Sequence, residues 1–193
     1  ILLATLAALN REILLPRYQQ ALSRSAQNWN GEEKIPIRAK FDHRTDILIG
    51  GQHAIKSART ILNPRLHLHR PLGQFPRIIE AEVAEYIPAS ESQPAGYKLL
   101  NIVVPESLAN YQSAKLNDDP VILTAMDEES LADNELFLVS NLPFELLVAQ
   151  NNHYKFSSTK GLIELLQNPS LDYGAHLRVQ LHARIVQPVL DIT

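Results

Sequence analysis

The chain has 193 residues, of which 45% are hydrophobic and 20% are charged. This apolar content supports a folded core and excludes a wholly disordered chain. The formal net charge of −3 argues against a nucleic-acid binder that works through bulk charge. Cysteine is absent, which excludes disulfides, cysteine-bound zinc and thiol catalysis. No hydrophobic run reaches the roughly 20 residues that a membrane helix needs, so we expect no membrane span in this chain.

The first residues are expected to form an amphipathic helix. Leu2, Leu6, Leu9 and Ile13 recur at the spacing of one helix face, and Pro16 ends or kinks the helix. The chain begins with isoleucine rather than methionine, and the apolar start has a second explanation as the remainder of a removed signal or anchor.

The next segment mixes strand and helix patterns. Residues 35–41 alternate between apolar and polar side chains, which predicts a half-buried strand, and Pro36 favours an edge position. Residues 47–49 form a short apolar run. Residues 54–62 are predicted to be helical, and Asn63-Pro64 ends that element.

The middle of the chain contains the predicted domain boundary. Three prolines between 64 and 76 predict a loop or a short edge strand. Residues 78–86 fit a helix and a strand equally well, and both alternatives stay open. Residues 88–96 are the most linker-like stretch, so we predict a helical segment with a small α+β region over 1–88 and an α+β domain over 89–193.

The second half combines short apolar runs with one capped helix. Hydroxyl side chains at 157–159 predict a helix start, and Asn168-Pro169 predicts its end. Strands are predicted at 99–104, 121–125, 136–139 and 177–185, while 144–148 is ambiguous. The expected fold class is therefore α+β, with an N-terminal helical segment followed by short antiparallel or mixed strands and with helices packed on one face.

Four residues form a candidate metal site. His67 and His69 place two imidazoles on one face of an extended segment, and Asp42 with His43 would add further ligands for a divalent metal. The alternative is that these are ordinary polar residues of loops and an edge strand. Spacing identifies no complete ligand set, so we expect no cofactor and keep a metal-dependent hydrolase or nuclease as the alternative function.

Other catalytic and binding motifs are incomplete. Gly50-Gly51, with Lys56 nearby, has the outline of a phosphate-binding turn, but the full glycine fingerprint and the P-loop Lys-Ser/Thr pair are missing. The sequence contains neither G-x-S-x-G nor H-E-x-x-H. We therefore expect no catalytic residue and interpret the two glycines as turn residues.

The predicted last strand has a polar face that is a candidate partner-binding surface. In a strand over 177–185 its alternating pattern would carry cationic and imidazole side chains on one side, which suits an anion or a docking protein. The alternative is the ordinary solvated side of an antiparallel sheet. The residues of this face are His176, Arg178, His182 and Arg184.

Several segments resemble the C-terminal half of TssK, the baseplate subunit of type VI secretion systems. They are Leu2–Arg11, His69–Phe75, Asp127–Val139 and Lys155–Leu166. They cover about a third of the chain and contain no catalytic signature, and Ser157 and Thr159 replace the family's glycine and proline at the helix start. The resemblance implies a non-enzymatic, trimeric connector between a baseplate and a membrane complex, and it transfers no functional residue.

These observations favour a binding or assembly subunit without catalysis. The expected partners are other protein subunits of a bacterial secretion system, and a homo-oligomer is an open alternative. We expect a soluble protein of the cytoplasm, with the periplasm as the alternative compartment. A small-ligand sensor is a third function for which the sequence offers no specific residue.

Overall fold

The computed structural model describes residues 6, 10–14, 34–103, 110–148 and 158–190. The chain divides into two compact units, one formed by Asn30–Val148 and the other by Ile1–Trp29 with Ala149–Thr193. This division differs from the predicted boundary near residue 88. Residues 88–95 instead form the connection between two paired strands of the larger unit.

The larger unit is dominated by one antiparallel sheet. Its described strands are β1 (Lys34–Pro36), β2 (Lys40–Asp42), β3 (Ile47–Gly50), β4 (His53–Ile55), β5 (Thr60–Leu62), β6 (Arg65–Leu68), β7 (Ile78–Ile87), β8 (Gly96–Val103), β9 (Ala114–Leu116), β10 (Asp119–Thr124) and β11 (Leu136–Val139), and a short helix, α1 (Phe144–Val148), follows. The predicted α+β class with helices packed on one face is therefore wrong, because sheet pairing rather than helix packing organises the described residues.

The first six strands behave as three longer strands that are each interrupted once. Lys34 pairs with Ile55 and Lys40 pairs with Ile49, so the register of β1 against β4 continues in that of β2 against β3. The same continuity holds for β3–β4 against β5–β6 and for β5–β6 against β7. Asn63 lies at one interruption with a φ of 47°, a left-handed conformation that asparagine tolerates. A five-stranded meander results, and the sheet continues from β8 through β11, β10 and β9.

The buried face of the sheet changes along β7. Ile79 and Ala81 are buried in its first half, whereas Ala84 is buried in its second half. Because successive side chains point to opposite faces, these residues lie on opposite sides of the sheet. Tyr97 is on the same face as Ala84, and its hydroxyl donates to the Leu142 carbonyl at 2.8 Å, so the segment before α1 covers the face at this end. This change of face explains why residues 78–86 show no single period.

Two sequence predictions in this unit are corrected by strand pairing. Residues 54–62 form β4 and β5 rather than a helix, because Ala54 and Ile61 pair directly and both are fully buried. The segment 64–76 contains β6, which is no edge strand because it lies between β3 and β7. The predicted strand at 136–139 is confirmed as β11.

The smaller unit contains α2 (Thr159–Gln167) and α3 (Ala175–Leu190). The predicted start of α2 is confirmed, because the Ser158 hydroxyl accepts a hydrogen bond from the Gly161 N–H. The Glu12 carboxylate also accepts hydrogen bonds from the Thr159 backbone N–H at 2.8 Å and from its hydroxyl at 2.7 Å. A carboxylate at this position satisfies an N–H of the first helical turn and complements the helix dipole.

The predicted strand over 177–185 is wrong, because these residues belong to α3. Leu177, Leu181 and Ile185 also recur every four residues, and Leu181 is buried as one side of a helix requires. Of the predicted N-terminal stripe, Leu6 and Ile13 are described and are more than half exposed, and the remainder falls outside the described residues. Within the described parts of the chain, no helix has the length and apolar character required to cross a membrane.

Gly96 is a sensitive position for the stability of the sheet. A Cβ atom built on Gly96 would lie 2.7 Å from Cζ of Phe137 and would also collide with the Leu138 carbonyl. We expect Gly96→Ala to lower the free energy of unfolding by about 3 kcal/mol through overpacking. Gly174→Ala is the control, because a Cβ atom there has no neighbour within 4 Å. Urea denaturation followed by circular dichroism measures both, and equal stability of the two variants would contradict the packing argument.

Candidate functional site

A buried carboxylate organises the turn that follows β2. Asp42 is fully buried, and its Oδ1 accepts hydrogen bonds from the backbone N–H of Arg44 at 3.0 Å and of Thr45 at 3.3 Å. Its Oδ2 accepts a hydrogen bond from the Ser140 hydroxyl. The Asp46 N–H donates to the Asp42 carbonyl at 2.8 Å and closes the turn. The carboxylate thus connects the end of β2 to the residue that follows β11.

This connection gives Asp42 a structural role. Ser140 Oγ also accepts a hydrogen bond from the Leu142 N–H at 3.1 Å. Arg44 Nη2 donates to the Val139 carbonyl at 3.5 Å. A buried carboxylate that accepts several hydrogen bonds is stabilised only while its partners stay in place. We therefore interpret Asp42 as an anchor of the first hairpin.

A row of four side chains crosses the opposite face of the sheet beside this turn. Phe41, Leu48, His67 and Ile78 lie directly opposite one another on β2, β3, β6 and β7. Directly opposed residues point to the same face. Ile78 is 47% exposed and the other three are half-buried. We call these four residues the outer row. The row stays accessible because this part of β7 buries its other face, which carries Ile79.

Imidazole rings lie beside the aromatic member of the outer row. The rings of His43 and His69 meet the Phe41 ring edge-on, with centroid distances of 4.9 Å and 6.3 Å. Both histidines are exposed. The outer row therefore has an apolar centre with polar rings at one end.

Cationic side chains lie around the outer row and are partly neutralised. Arg65 is two residues before His67 on the same face, and it forms an ion pair with Glu80 at 2.6 Å. Arg70 follows His69 and forms an ion pair with Asp46 at 2.7 Å. Both arginine side chains remain more than half exposed, so their charges still act on the solvent side of the sheet.

The segment that builds this region is strongly basic. Residues 34–78 contain nine Lys or Arg residues and two acidic residues. The two acidic residues are Asp42, which is buried in its turn, and Asp46, which is paired with Arg70. The net charge of −3 for the whole chain therefore conceals an excess of basic residues on the first six strands, of which Arg59 and Arg65 are paired with Glu145 and Glu80.

The predicted metal ligands are only partly brought together. His43, His67 and His69 lie at the outer row, but Asp42 points to the opposite face from His67, because it occupies the neighbouring register position. The Asp42 oxygens are occupied by Ser140 and by the turn N–H groups. Within the part of the chain that the structure describes, no group of three His, Asp or Glu residues is placed to hold a metal ion.

The four residues predicted to form a partner-binding face lie in α3 and not in a strand, so they do not all share one face. Arg178 and His182 are four residues apart in α3 and lie on one side, whereas Arg184 lies about 200° around the helix from His182. Arg178 forms an ion pair with Asp172 at 3.3 Å. The side chain of His176 lies outside the described residues. The flat polar face does not exist, and a partner-binding role for these residues stays a prediction.

The Gly50-Gly51 motif serves packing within the sheet. It is followed by β4 rather than by a helix, so no helix dipole is available for a phosphate. A Cβ atom on Gly51 would lie 2.6 Å from Cγ2 of Ile61. Close approach of neighbouring strands explains the glycine there, and Lys56 lies away in the turn between β4 and β5.

A double-mutant cycle tests the Asp42 anchor. We expect Asp42→Ala and Ser140→Ala each to lower the free energy of unfolding by about 2 kcal/mol, because each change leaves buried hydrogen-bonding groups unpaired. Their effects should be non-additive by about 1 kcal/mol or more. The control pair is Ser90 and Ser92, whose hydroxyls are exposed and 3.4 Å apart, and whose alanine changes should add. Additive effects at Asp42 and Ser140 would refute the anchor.

The outer row was missed by sequence reasoning. The spacing of His67 and His69 predicts metal ligands, but the pattern at 35–41 predicts only a half-buried strand for Phe41, and the pattern at 78–86 leaves Ile78 in a helix or a strand. The usable signal was the charge asymmetry of residues 34–78. No family model, curated protein or solved structure matches this chain, so its function is argued from this geometry.

Proposed function

We propose that the chain is a non-catalytic, protein-binding subunit of a larger assembly, and that the outer row with its surrounding cations docks an acidic protein surface. The observation that supports this proposal is the combination of Phe41, Leu48 and Ile78 in one line on an ordered sheet. Protein-binding surfaces typically have such an apolar or aromatic centre within a polar rim, with arginine enriched.

The charge around the row favours a negatively charged partner. Arg65, Arg70 and Arg77 are exposed, whereas the Asp46 side chain is largely covered, and Glu80 and Glu82 of β7 lie on the same face as Ile78. A positive surface of this kind steers an acidic partner and raises its association rate. It also disfavours a basic partner through repulsion of like charges.

The proposal agrees with the assembly role that the resemblance to TssK implies. A baseplate connector acts by contact with other subunits, and such contact requires no catalytic residue. Membership of a secretion assembly and location in the cytoplasm are parts of this proposal.

A labelled peptide of alternating glutamate and leucine is a direct probe of the outer row. We expect fluorescence anisotropy to show binding that weakens when NaCl is raised from about 50 mM to about 500 mM, since salt screens the attraction. Ile78→Asp should weaken binding by at least about tenfold through loss of apolar contact and added repulsion.

Two controls accompany this measurement. Val179→Asp changes an apolar side chain that is 67% exposed on α3 and should leave the affinity unchanged. A lysine-leucine peptide of equal length should bind more weakly than the glutamate-leucine peptide. Equal affinity for both peptides, or an Ile78→Asp variant that binds normally, would overturn the proposed function.

A further inference from the structure

The remainder of the larger unit has the opposite charge. Residues 79–148 contain thirteen acidic residues and two lysines. The sheet order runs from β1 and β2 at one side to β10 and β9 at the other, so the basic strands lie on one side and the acidic side begins at β7, whose Glu80 pairs with Arg65 of β6. A single compact unit thus carries two surfaces of complementary sign.

The acidic side has a defined protrusion, the acidic loop formed by residues 125–135 between β10 and β11. Met126 is 53% exposed, and Asp127, Glu129 and Asp133 are exposed near it in sequence. An exposed methionine among carboxylates combines an adaptable apolar group with negative charge. Methionine also makes favourable contacts with aromatic rings such as that of Phe41.

The acidic loop is held in place by its own contacts. The N–H groups of Asp127 and Glu128 donate to the Thr124 carbonyl at 3.1 Å and 3.0 Å, and Leu131 is buried with Phe137. Hydrogen bonds from the Ser113 side chain and backbone lower the pKa of Asp127, which keeps its carboxylate charged at neutral pH. An ordered loop loses little conformational freedom on docking.

We propose that the acidic partner is a second copy of this chain, whose acidic loop docks on the outer row with Met126 against its apolar residues and carboxylates facing Arg65 and Arg70. This inference rests on the proposed function and names its partner. It follows from the charge and apolar complementarity of two surfaces that one chain carries.

The complementarity also restricts which surfaces of two copies meet. Two outer rows facing each other would bring arginines together, and two acidic loops facing each other would bring carboxylates together. Like-charge contacts of this kind are costly. The favoured contact therefore joins unlike surfaces, either reciprocally in a two-fold dimer or head to tail in a ring or a filament.

A charge-swap experiment with the full chain tests this contact. The face variant carries Arg65→Glu and Arg70→Glu, and the loop variant carries Glu129→Arg and Asp133→Arg. We expect the average mass of the unmodified protein in sedimentation equilibrium to rise with concentration and to fall at high salt. Each variant alone should associate at least about tenfold more weakly.

Mixing the two variants provides the decisive observation. The mixture restores one unmodified outer row and one unmodified acidic loop, so association should return in the mixture. A variant that had simply lost its fold would not be restored by mixing. The matched control carries Lys160→Glu and Glu164→Arg, an exposed pair on α2, and should associate like the unmodified protein.

The possible outcomes separate this inference from the proposed function. An unmodified chain that binds the glutamate-leucine peptide but stays monomeric would overturn self-association and leave the proposed function standing. A chain that shows neither property overturns both. Association that persists in both variants would place the contact elsewhere, and a face that binds single-stranded DNA more tightly than the acidic peptide would identify nucleic acid as the partner.

In addition, an excess of a synthetic peptide of residues 125–135 should dissociate the oligomer, and its failure to do so would count against the acidic loop.

Discussion

The register of the antiparallel meander is the constraint on which the candidate site depends. Phe41, Leu48, His67 and Ile78 share one face only because β2, β3, β6 and β7 pair in one continuous register. A slip of one residue in a strand moves all of its side chains to the other face. It would bury His67 or move Asp42 away from the Ser140 hydroxyl and the turn N–H groups, and both changes are costly because buried polar groups require partners.

Two features keep this register in place at opposite ends of the strands. At the turn after β2, Asp42 satisfies two backbone N–H groups and accepts the Ser140 hydroxyl. Farther along, Ala54 and Ile61 are buried on the same face of the sheet as the outer row, and on this face the Tyr97 hydroxyl donates to the Leu142 carbonyl. Beside the outer row, the sheet therefore buries the face that carries Asp42, and near Tyr97 it buries the opposite face. The part of that opposite face that stays uncovered is the accessible surface of the outer row.

The sequence pattern identified a short strand that is buried on both faces, and it failed where strand pairing or helix formation decides between two patterns. The run at 136–139 is short and apolar, and it was correctly assigned to a strand because such runs suit a strand buried on both faces. At 54–62 the apolar residues suit a helix, and only pairing of Ala54 with Ile61 shows two strands. At 177–185 two periods coexist, and helix formation selects the four-residue one.

The candidate site was recognisable from the sequence only in part, for the same reason. The spacing of His67 and His69 was visible, but exposure of Ile78 depends on which face the first half of β7 buries. The charge distribution was available without any structure, yet a net charge averages nine basic residues in 34–78 against thirteen acidic residues in 79–148. Electrostatic attraction between proteins depends on local potential over about 8–10 Å at physiological salt, so the average carries little information about partners. Separation of the two charges on one sheet gives the chain a polarity, and that polarity favours a contact between unlike surfaces over one between like surfaces.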